Sequence, residues 1–193
     1  MFPALILAST SRYRRELLNR FGIPFDAESP GIEERDIAHE PPAERASRLA
    51  MEKAQAVAAR FPRAIIIGSD QVASSEGTVL HKPGTAERAC TQLAQLSGRN
   101  ADFHTACAVI RPDGRSAQTH TDITRIRFRA LTSGEIARYV EREQPLDCAG
   151  SFKSEALGIT LFETIETSDP TALVGLPLLW LAGALRGAGL ALP

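Results

Sequence analysis

Leu5-Ile6-Leu7-Ala8-Ser9-Thr10-Ser11-Arg12-Tyr13-Arg14-Arg15-Glu16-Leu17-Leu18 holds a strand, a polar turn and the opening of a helix. The apolar run Leu5-Ile6-Leu7 predicts a buried strand. Ser11 to about Arg20 predicts the helix that follows, with Ser11 or Thr10 as its cap. That helix carries Arg12, Arg14 and Arg15 in its first turn, where the macrodipole and free backbone N–H groups favour anions. The mismatch costs about 0.3–1 kcal/mol per charge. A bound anion removes it, and strand-loop-helix junctions of this kind bind phosphate.

Outward from this unit, strands and helices alternate, which predicts an α/β architecture. Phe25 to Glu28 reads as a short strand, followed by the acidic loop Gly31-Ile32-Glu33-Glu34-Arg35-Asp36. Pro41-Pro42 opens a helix to about Arg60 with an apolar stripe of Ala46, Leu49, Ala50, Ala54 and Val57. Lys53 falls on that stripe. Ala64-Ile65-Ile66-Ile67-Gly68 is a buried strand ending in Ser69-Asp70-Gln71, and Val72 to Leu80 reads as a hairpin turning at Glu76-Gly77. A helix over Thr85–Leu96 comes next. Phe103–Ile110 and Ser116–Phe128 follow as paired strands around the turn Arg111-Pro112-Asp113-Gly114. Thr132 and Glu135 form a capping box, with Leu131 and Ile136 as its staple, for a helix to about Arg142. Ile159 to Phe162 is a predicted short strand and Pro177 to Arg186 a closing helix. Without repeats or linkers, the pattern predicts a single domain over residues 1–193.

With 44% hydrophobic and 23% charged residues in 193, the composition is that of a soluble globular protein. A net charge of −1 argues against a nucleic-acid polymer as partner, so any basic patch is local and suits a small phosphorylated ligand. Cys90, Cys107 and Cys148 are odd in number and widely spaced, which predicts reduced thiols. Met1 leads into a strand with no signal-peptide features, and Gly175, Pro177 and Gly183 interrupt the longest apolar stretch. A cytoplasmic location away from membranes is expected.

Walker-type loops, dinucleotide fingerprints, H-E-x-x-H and G-x-S-x-G are absent, and the four histidines lack metal-ligand spacing. What remains are polar residues at the ends of apolar elements. Asp70, after three isoleucines, stands at the carboxyl end of a central strand, where α/β sheets hold ligands. It can accept a proton from water or help coordinate Mg²⁺, or it can simply cap a turn. Glu33 and Glu34 form a second acidic point, or a solvated pair. Lys53 must snorkel or face an anionic partner, and Lys82, before Pro83-Gly84, stands at a strand-to-helix loop. Cations for phosphates, with carboxylates for a metal and for water, suit phosphoanhydride chemistry.

Leu7-Ala8-Ser9-Thr10-Ser11-x-x-Arg14-Arg15-x-Leu17-Leu18 resembles the signature of the Maf-type nucleotide pyrophosphatases. So do Arg48-Leu49-Ala50-x-x-Lys53-Ala54, Gly68-Ser69-Asp70, Lys82-Pro83 and Gly175-Leu176-Pro177, in order along nearly the whole chain. The resemblance implies an elongated mixed sheet flanked by helices, two lobes and a central cleft, like the inosine triphosphatases. It implies hydrolysis of a nucleoside triphosphate to the monophosphate and pyrophosphate with a divalent cation, Mg²⁺ or Mn²⁺. Asp70 matches the general base; Ser9, Arg14, Glu33, Lys53 and Lys82 match positions around the triphosphate and metal. Arg15 stands beside Arg14 as a phosphate contact. Glu34 competes with Glu33 for the metal, which Asp70 would also hold. The resemblance further allows a homodimer, with Leu178, Leu179, Trp180 and Leu181 serving a core or an interface.

Tyr13, Gln71 and Glu155 resemble the 7-methyl-GTP branch of that family, whereas the branch acting on dTTP and UTP differs at these positions. A cationic N7-methylated guanine stacks on an aromatic face with a cation–π gain of about 0.5–2 kcal/mol. Glu155 can accept from its N1–H and N2–H, while a uracil suits an amide better. Two departures stand out. Arg12 replaces a proline, and Ala156 replaces a glycine; if that glycine needs φ > 0, alanine strains the loop presenting Glu155. Other readings are a dTTP/UTP pyrophosphatase and a nucleotide-binding regulator of cell division.

Overall fold

The computed structural model describes residues 3–112 and 116–193. In chain order the elements are β1 (Leu5–Ala8), α1 (Arg12–Asn19), β2 (Asp26–Ala27), α2 (Pro42–Ala58), β3 (Ile65–Ser75) and β4 (Thr78–Leu80). Then come α3 (Ala86–Leu96), β5 (Asn100–Ile110), β6 (Ala117–Phe128), α4 (Ser133–Glu143), β7 (Phe162–Glu166) and α5 (Leu178–Gly187). The strands form a mixed sheet in the order β2-β1-β3-β5-β6-β7, with β4 on β3. β1 lies parallel to β2 and β3, pairing Leu5 with Ile65 and Ala8 with Gly68, while β4 and β7 are antiparallel to their neighbours.

Local chemistry explains most boundaries. Ser11 is the α1 cap, its side chain accepting from the Arg14 N–H, and no acidic residue occupies that first turn. The Thr132–Glu135 capping box opens α4 with both reciprocal bonds made. The β3–β4 turn takes Glu76 at φ 49° and Gly77 at φ 79°, the two left-handed residues that a tight hairpin needs. Asp113 and Gly114 of the Arg111–Gly114 turn lie outside the described residues.

Two expectations are corrected. β3 does not stop at Gly68 but runs on to Ser75, so Asp70 is a mid-strand residue rather than a terminal one. The polar Ser69-Asp70-Gln71 breaks the apolar run without breaking the ladder. The Ile159–Phe162 segment is largely a 3-10 turn over Leu157–Leu161, with the last strand starting at Phe162.

The chain divides into two compact units, one comprising residues 1–71, 104–122 and 169–193 and the other residues 72–103 and 123–168. In the first, Leu5, Leu7, Ile65 and Ile67 pack with Leu17 and Leu18 of α1 and with Leu178, Leu181 and Leu185 of α5. Leu178 and Leu181 are therefore core residues, whereas Leu179 is 67% exposed. The second is centred on four phenylalanines: Phe152 meets Phe103, Phe128 and Phe162 edge-to-face at 5.2, 5.8 and 4.8 Å between centroids.

Candidate functional site

Close packing at one glycine assembles the acidic centre. A Cβ on Gly68 would lie 2.1 Å from the Ala50 carbonyl oxygen and 2.8 Å from the Ala54 Cβ, so α2 lies directly on β3 there. Asp70 shares a strand face with Gly68, and Lys53 shares a helix face with Ala50 and Ala54. Contact at 68 therefore sets 53 beside 70. Lys53 Nζ donates to Asp70 Oδ1 at 2.6 Å and pairs with Glu34 Oε1 at 2.6 Å, and its side chain is only 9% exposed. The lysine on the apolar stripe thus faces two anionic partners. Both residues are exposed, and Glu34, not its neighbour Glu33, is the member of the pair that reaches this centre.

The acidic loop is fastened from below by Arg48. Its guanidinium donates to both Glu40 oxygens, at 2.6 and 2.7 Å, and to the main-chain carbonyl of Arg35 at 3.1 Å. This fork lowers the Glu40 carboxyl below the usual range, chiefly through hydrogen bonding. Arg45 holds Asp36 at 2.7 Å.

Around the β1–α1 turn, the Ser9 hydroxyl is buried and accepts from the Ser11 N–H at 3.2 Å and from Arg14 Nη1 at 3.5 Å. Arg14 Nε donates to the Gly175 carbonyl at 3.1 Å. Burial lowers the Arg14 pKa, opposed by the negative field of the Asp70 and Glu34 carboxylates. Arg15 points elsewhere: it lines a depression of about 460 Å³ with Asn19, Phe25 and Asp26 against β2, and does not join Arg14. Arg12 lies over the Tyr13 ring, 4.7 Å from its centroid, and donates to the Tyr13 hydroxyl at 2.7 Å.

A loop organises these groups; the sequence marked its Gly175-Leu176-Pro177 end but not its Asp169 start. Asp169 is buried, and it accepts from the Thr171 N–H and hydroxyl at 2.8 and 2.6 Å and from the Leu179 N–H at 2.7 Å. It thereby serves the start of α5, whose cap position is occupied by Pro177 with no side-chain bond. The carbonyls of this loop then receive four side chains. Gly175 accepts from Arg14 and Ser69, and Ala172 accepts from Thr105 and Gln71. Gln71 Nε2 also reaches Thr105 Oγ1 at 2.8 Å and the Leu173 carbonyl at 3.0 Å. Three acceptors around one amide nitrogen fix its orientation and use its donors. An Asp-Pro-Thr string ahead of an uncapped apolar helix was the available signal.

The second unit carries Lys82 and Glu155, both exposed. The strain expected at Ala156 is absent: its φ is −130°, outside the region reserved for glycine. The tight residue is Gly158, where a Cβ would meet the Lys153 carbonyl at 2.4 Å. Among the described residues, no group of three His, Cys, Asp or Glu side chains is placed to hold a metal ion. None of their helices is long and apolar enough to cross a membrane.

The family model described as Maf-like protein matches residues 4–188. The chain belongs to the Maf-like family. Its Maf-like relatives include the 7-methyl-GTP pyrophosphatase of Xanthomonas campestris pv. campestris, 55% identical over 193 residues and covering 100% of both chains. Those of Aromatoleum aromaticum and a Polaromonas species are 51% and 52% identical, covering 100% and 97% of this chain and 99% and 86% of theirs. Among solved structures, the Ham1 protein of Staphylococcus aureus superposes with a TM-score of 0.54 at 13% identity, over 95% of this chain and 98% of that one. A Ham1 protein from Coxiella burnetii gives 0.51 at 13%, over 96% and 100%. The Maf-like chain thus shares their fold.

Proposed function

We propose that this Maf-like chain hydrolyses 7-methyl-GTP to 7-methyl-GMP and pyrophosphate. The observation that carries the chemistry is Lys53, which joins the Asp70 and Glu34 carboxylates through one nitrogen. Lys53 takes Asp70 Oδ1, and Asp70 Oδ2 is left to accept the proton of an attacking water. Water attacks a phosphorus, the bridging P–O bond breaks, and the pyrophosphate departs with the bonding electrons. Arg14, backed by Ser9 and held by the Gly175 carbonyl, supplies fixed positive charge for the phosphates. Lys82 is a further phosphate contact in this reading.

Glu34 and Asp70 are the carboxylates that would hold a divalent cation, as Mg²⁺ is commonly held by one or two carboxylates plus substrate phosphates; the two oxygens they bring together face the Lys53 ammonium, which would have to share them with the metal. Bound there, Mg²⁺ or Mn²⁺ would neutralise charge on the phosphates.

Base recognition follows from Gln71. With its N–H groups directed at Thr105 and the loop carbonyls, it presents an acceptor and no donor. An acceptor suits the N–H edge of guanine and does little for the two carbonyls of uracil. Tyr13 would stack on the cationic ring with the face that Arg12 does not cover, and Glu155 would offer the carboxylate for its N1–H and N2–H. The relatives named 7-methyl-GTP pyrophosphatase support the same substrate.

A panel of 7-methyl-GTP, GTP, UTP, dTTP and CTP with Mg²⁺ or Mn²⁺, with monophosphate and pyrophosphate measured separately, tests this. The highest kcat/KM is expected for 7-methyl-GTP. A preference for UTP or dTTP contradicts the base reading, and release of orthophosphate in place of pyrophosphate contradicts the position of cleavage.

A further inference from the structure

Glu143 sits in the last turn of α4, where a carboxylate meets the negative end of the helix macrodipole. Its partners account for it. Oε1 pairs with Lys153 Nζ at 3.2 Å, and Oε2 accepts from the Leu157 N–H at 3.1 Å. Lys153 Nζ also donates to the Glu143 main-chain carbonyl at 2.6 Å, satisfying one of the open carbonyls that end a helix. One turn earlier on the same helix face, the Tyr139 hydroxyl accepts from the Lys153 N–H at 3.1 Å.

The spacing of these attachments matters more than their number. Lys153 precedes Glu155 by two residues, and Leu157 follows it by two. A single carboxylate therefore grips the loop on both sides of Glu155. The loop is also closed internally, since the Lys153 carbonyl accepts from the N–H groups of Ala156 and Gly158 at 3.2 and 3.1 Å. Just upstream, the buried Ser151 is held at φ 60°, with its hydroxyl donating to Gln92 Oε1 at 2.6 Å. A non-glycine residue held there is strained, and its surroundings must impose the conformation. Lys153, Ala156, Leu157 and Gly158 around Glu155 are held, while Glu155 itself is exposed and accepts from the Ser154 hydroxyl at 3.3 Å. The Lys153 ammonium is taken up by Glu143.

An exposed carboxylate on a mobile loop gains little from a hydrogen-bonded ligand, because ordering the loop offsets the contact; a pre-ordered one avoids that loss. We infer that the Tyr139–Glu143 edge of α4 clamps residues 153–157 to present the Glu155 carboxylate, which makes Glu143 a positioning residue for base selection. The inference rests on the base-reading role proposed for Glu155.

The test compares Glu143→Gln and Tyr139→Phe with Glu155→Gln, reading kcat/KM for 7-methyl-GTP relative to that for UTP alongside the melting temperature. Glutamine at 143 can accept from only one of its two partners, and phenylalanine at 139 removes a single acceptor. Glu155→Gln is expected to lower the ratio about tenfold and each clamp variant about three- to tenfold, mainly through KM for 7-methyl-GTP. If Glu155→Gln lowers the ratio and both clamp variants leave it unchanged, the clamp is overturned and the base reading stands. A ratio unmoved by Glu155→Gln overturns both. A merely structural role would lower the melting temperature without moving the ratio, which also overturns the clamp. Should Glu143→Gln fail to fold, Tyr139→Phe decides alone.

Discussion

Gly68→Ala should disable the enzyme without touching a functional group. The added Cβ would lie 2.1 Å from the Ala50 carbonyl oxygen, where an ordinary contact needs about 3.5 Å. The intruding atom is fixed to β3 and the obstructed atom to α2 backbone, so no rotamer relieves the clash. The helix must retreat by about 1 Å or more. Lys53 rides on that helix, and its 2.6 Å contact with Asp70 would stretch beyond hydrogen-bonding range. Overpacking of this kind costs about 1–3 kcal/mol, or about 2–12 °C in melting temperature for a chain of this size. A displacement of about 1 Å among catalytic groups costs about a hundredfold in rate. Steady-state kinetics on 7-methyl-GTP, with thermal unfolding in parallel, reads both effects. Gly183→Ala is the control: nothing lies within 4 Å of its Cβ, and alanine within α5 should raise stability by about 0.5–1 kcal/mol. A Gly68→Ala protein with kcat/KM within twofold of the parent would refute the claim that this contact sets the Lys53–Asp70 geometry.

Three other outcomes follow from the packing. The Glu135 carboxyl is held down to about 2, from 4.5, by the Thr132 N–H, then by the Thr132 hydroxyl and Arg129. A lowered folded-state pKa gives stability that is complete above pH 4.5 and lost as pH falls towards 2. Thr132→Ala should therefore lower the melting temperature at pH 6, and its gap from the parent should narrow on acidification; a constant gap would contradict this. Cys107 is fully buried, and burial pushes its thiol up to about 12, so iodoacetamide at pH 8 should label Cys90 and Cys148 in the native protein and spare Cys107 until unfolding, as peptide mass mapping can check. Asp169→Asn replaces one acceptor oxygen by a donor facing buried N–H or O–H groups, and should cost about 1–3 kcal/mol in denaturant unfolding; an unchanged midpoint would count against its role at α5.

Most of the architecture was legible because the elements are locally consistent. Ser11 and the Thr132–Glu135 box mark helix starts by side-chain chemistry that needs no tertiary information. Lys53 betrayed itself by interrupting an apolar stripe, and two carboxylates satisfy it. What stayed hidden depends on contacts distant in sequence. Three polar residues in a row read as a strand end, yet Ser69 and Gln71 are satisfied by carbonyls about a hundred residues on, so the ladder continues past them. Glu33 and Glu34 are indistinguishable in an exposed loop, and only the Arg48 fork and the position of Lys53 separate them. Arg15 matches the motif as well as Arg14 does, but on a helix its neighbour's side chain leaves in a different direction.

The most direct test of the central claim is Asp70→Asn, assayed for turnover of 7-methyl-GTP and, by calorimetry under the same conditions, for nucleotide binding. An amide keeps the shape of the carboxylate and cannot take a proton from water. Turnover should fall by about 10²–10⁴-fold, with affinity for the nucleotide kept within a few fold. A variant that still releases pyrophosphate at a rate within tenfold of the parent would contradict Asp70 as the base.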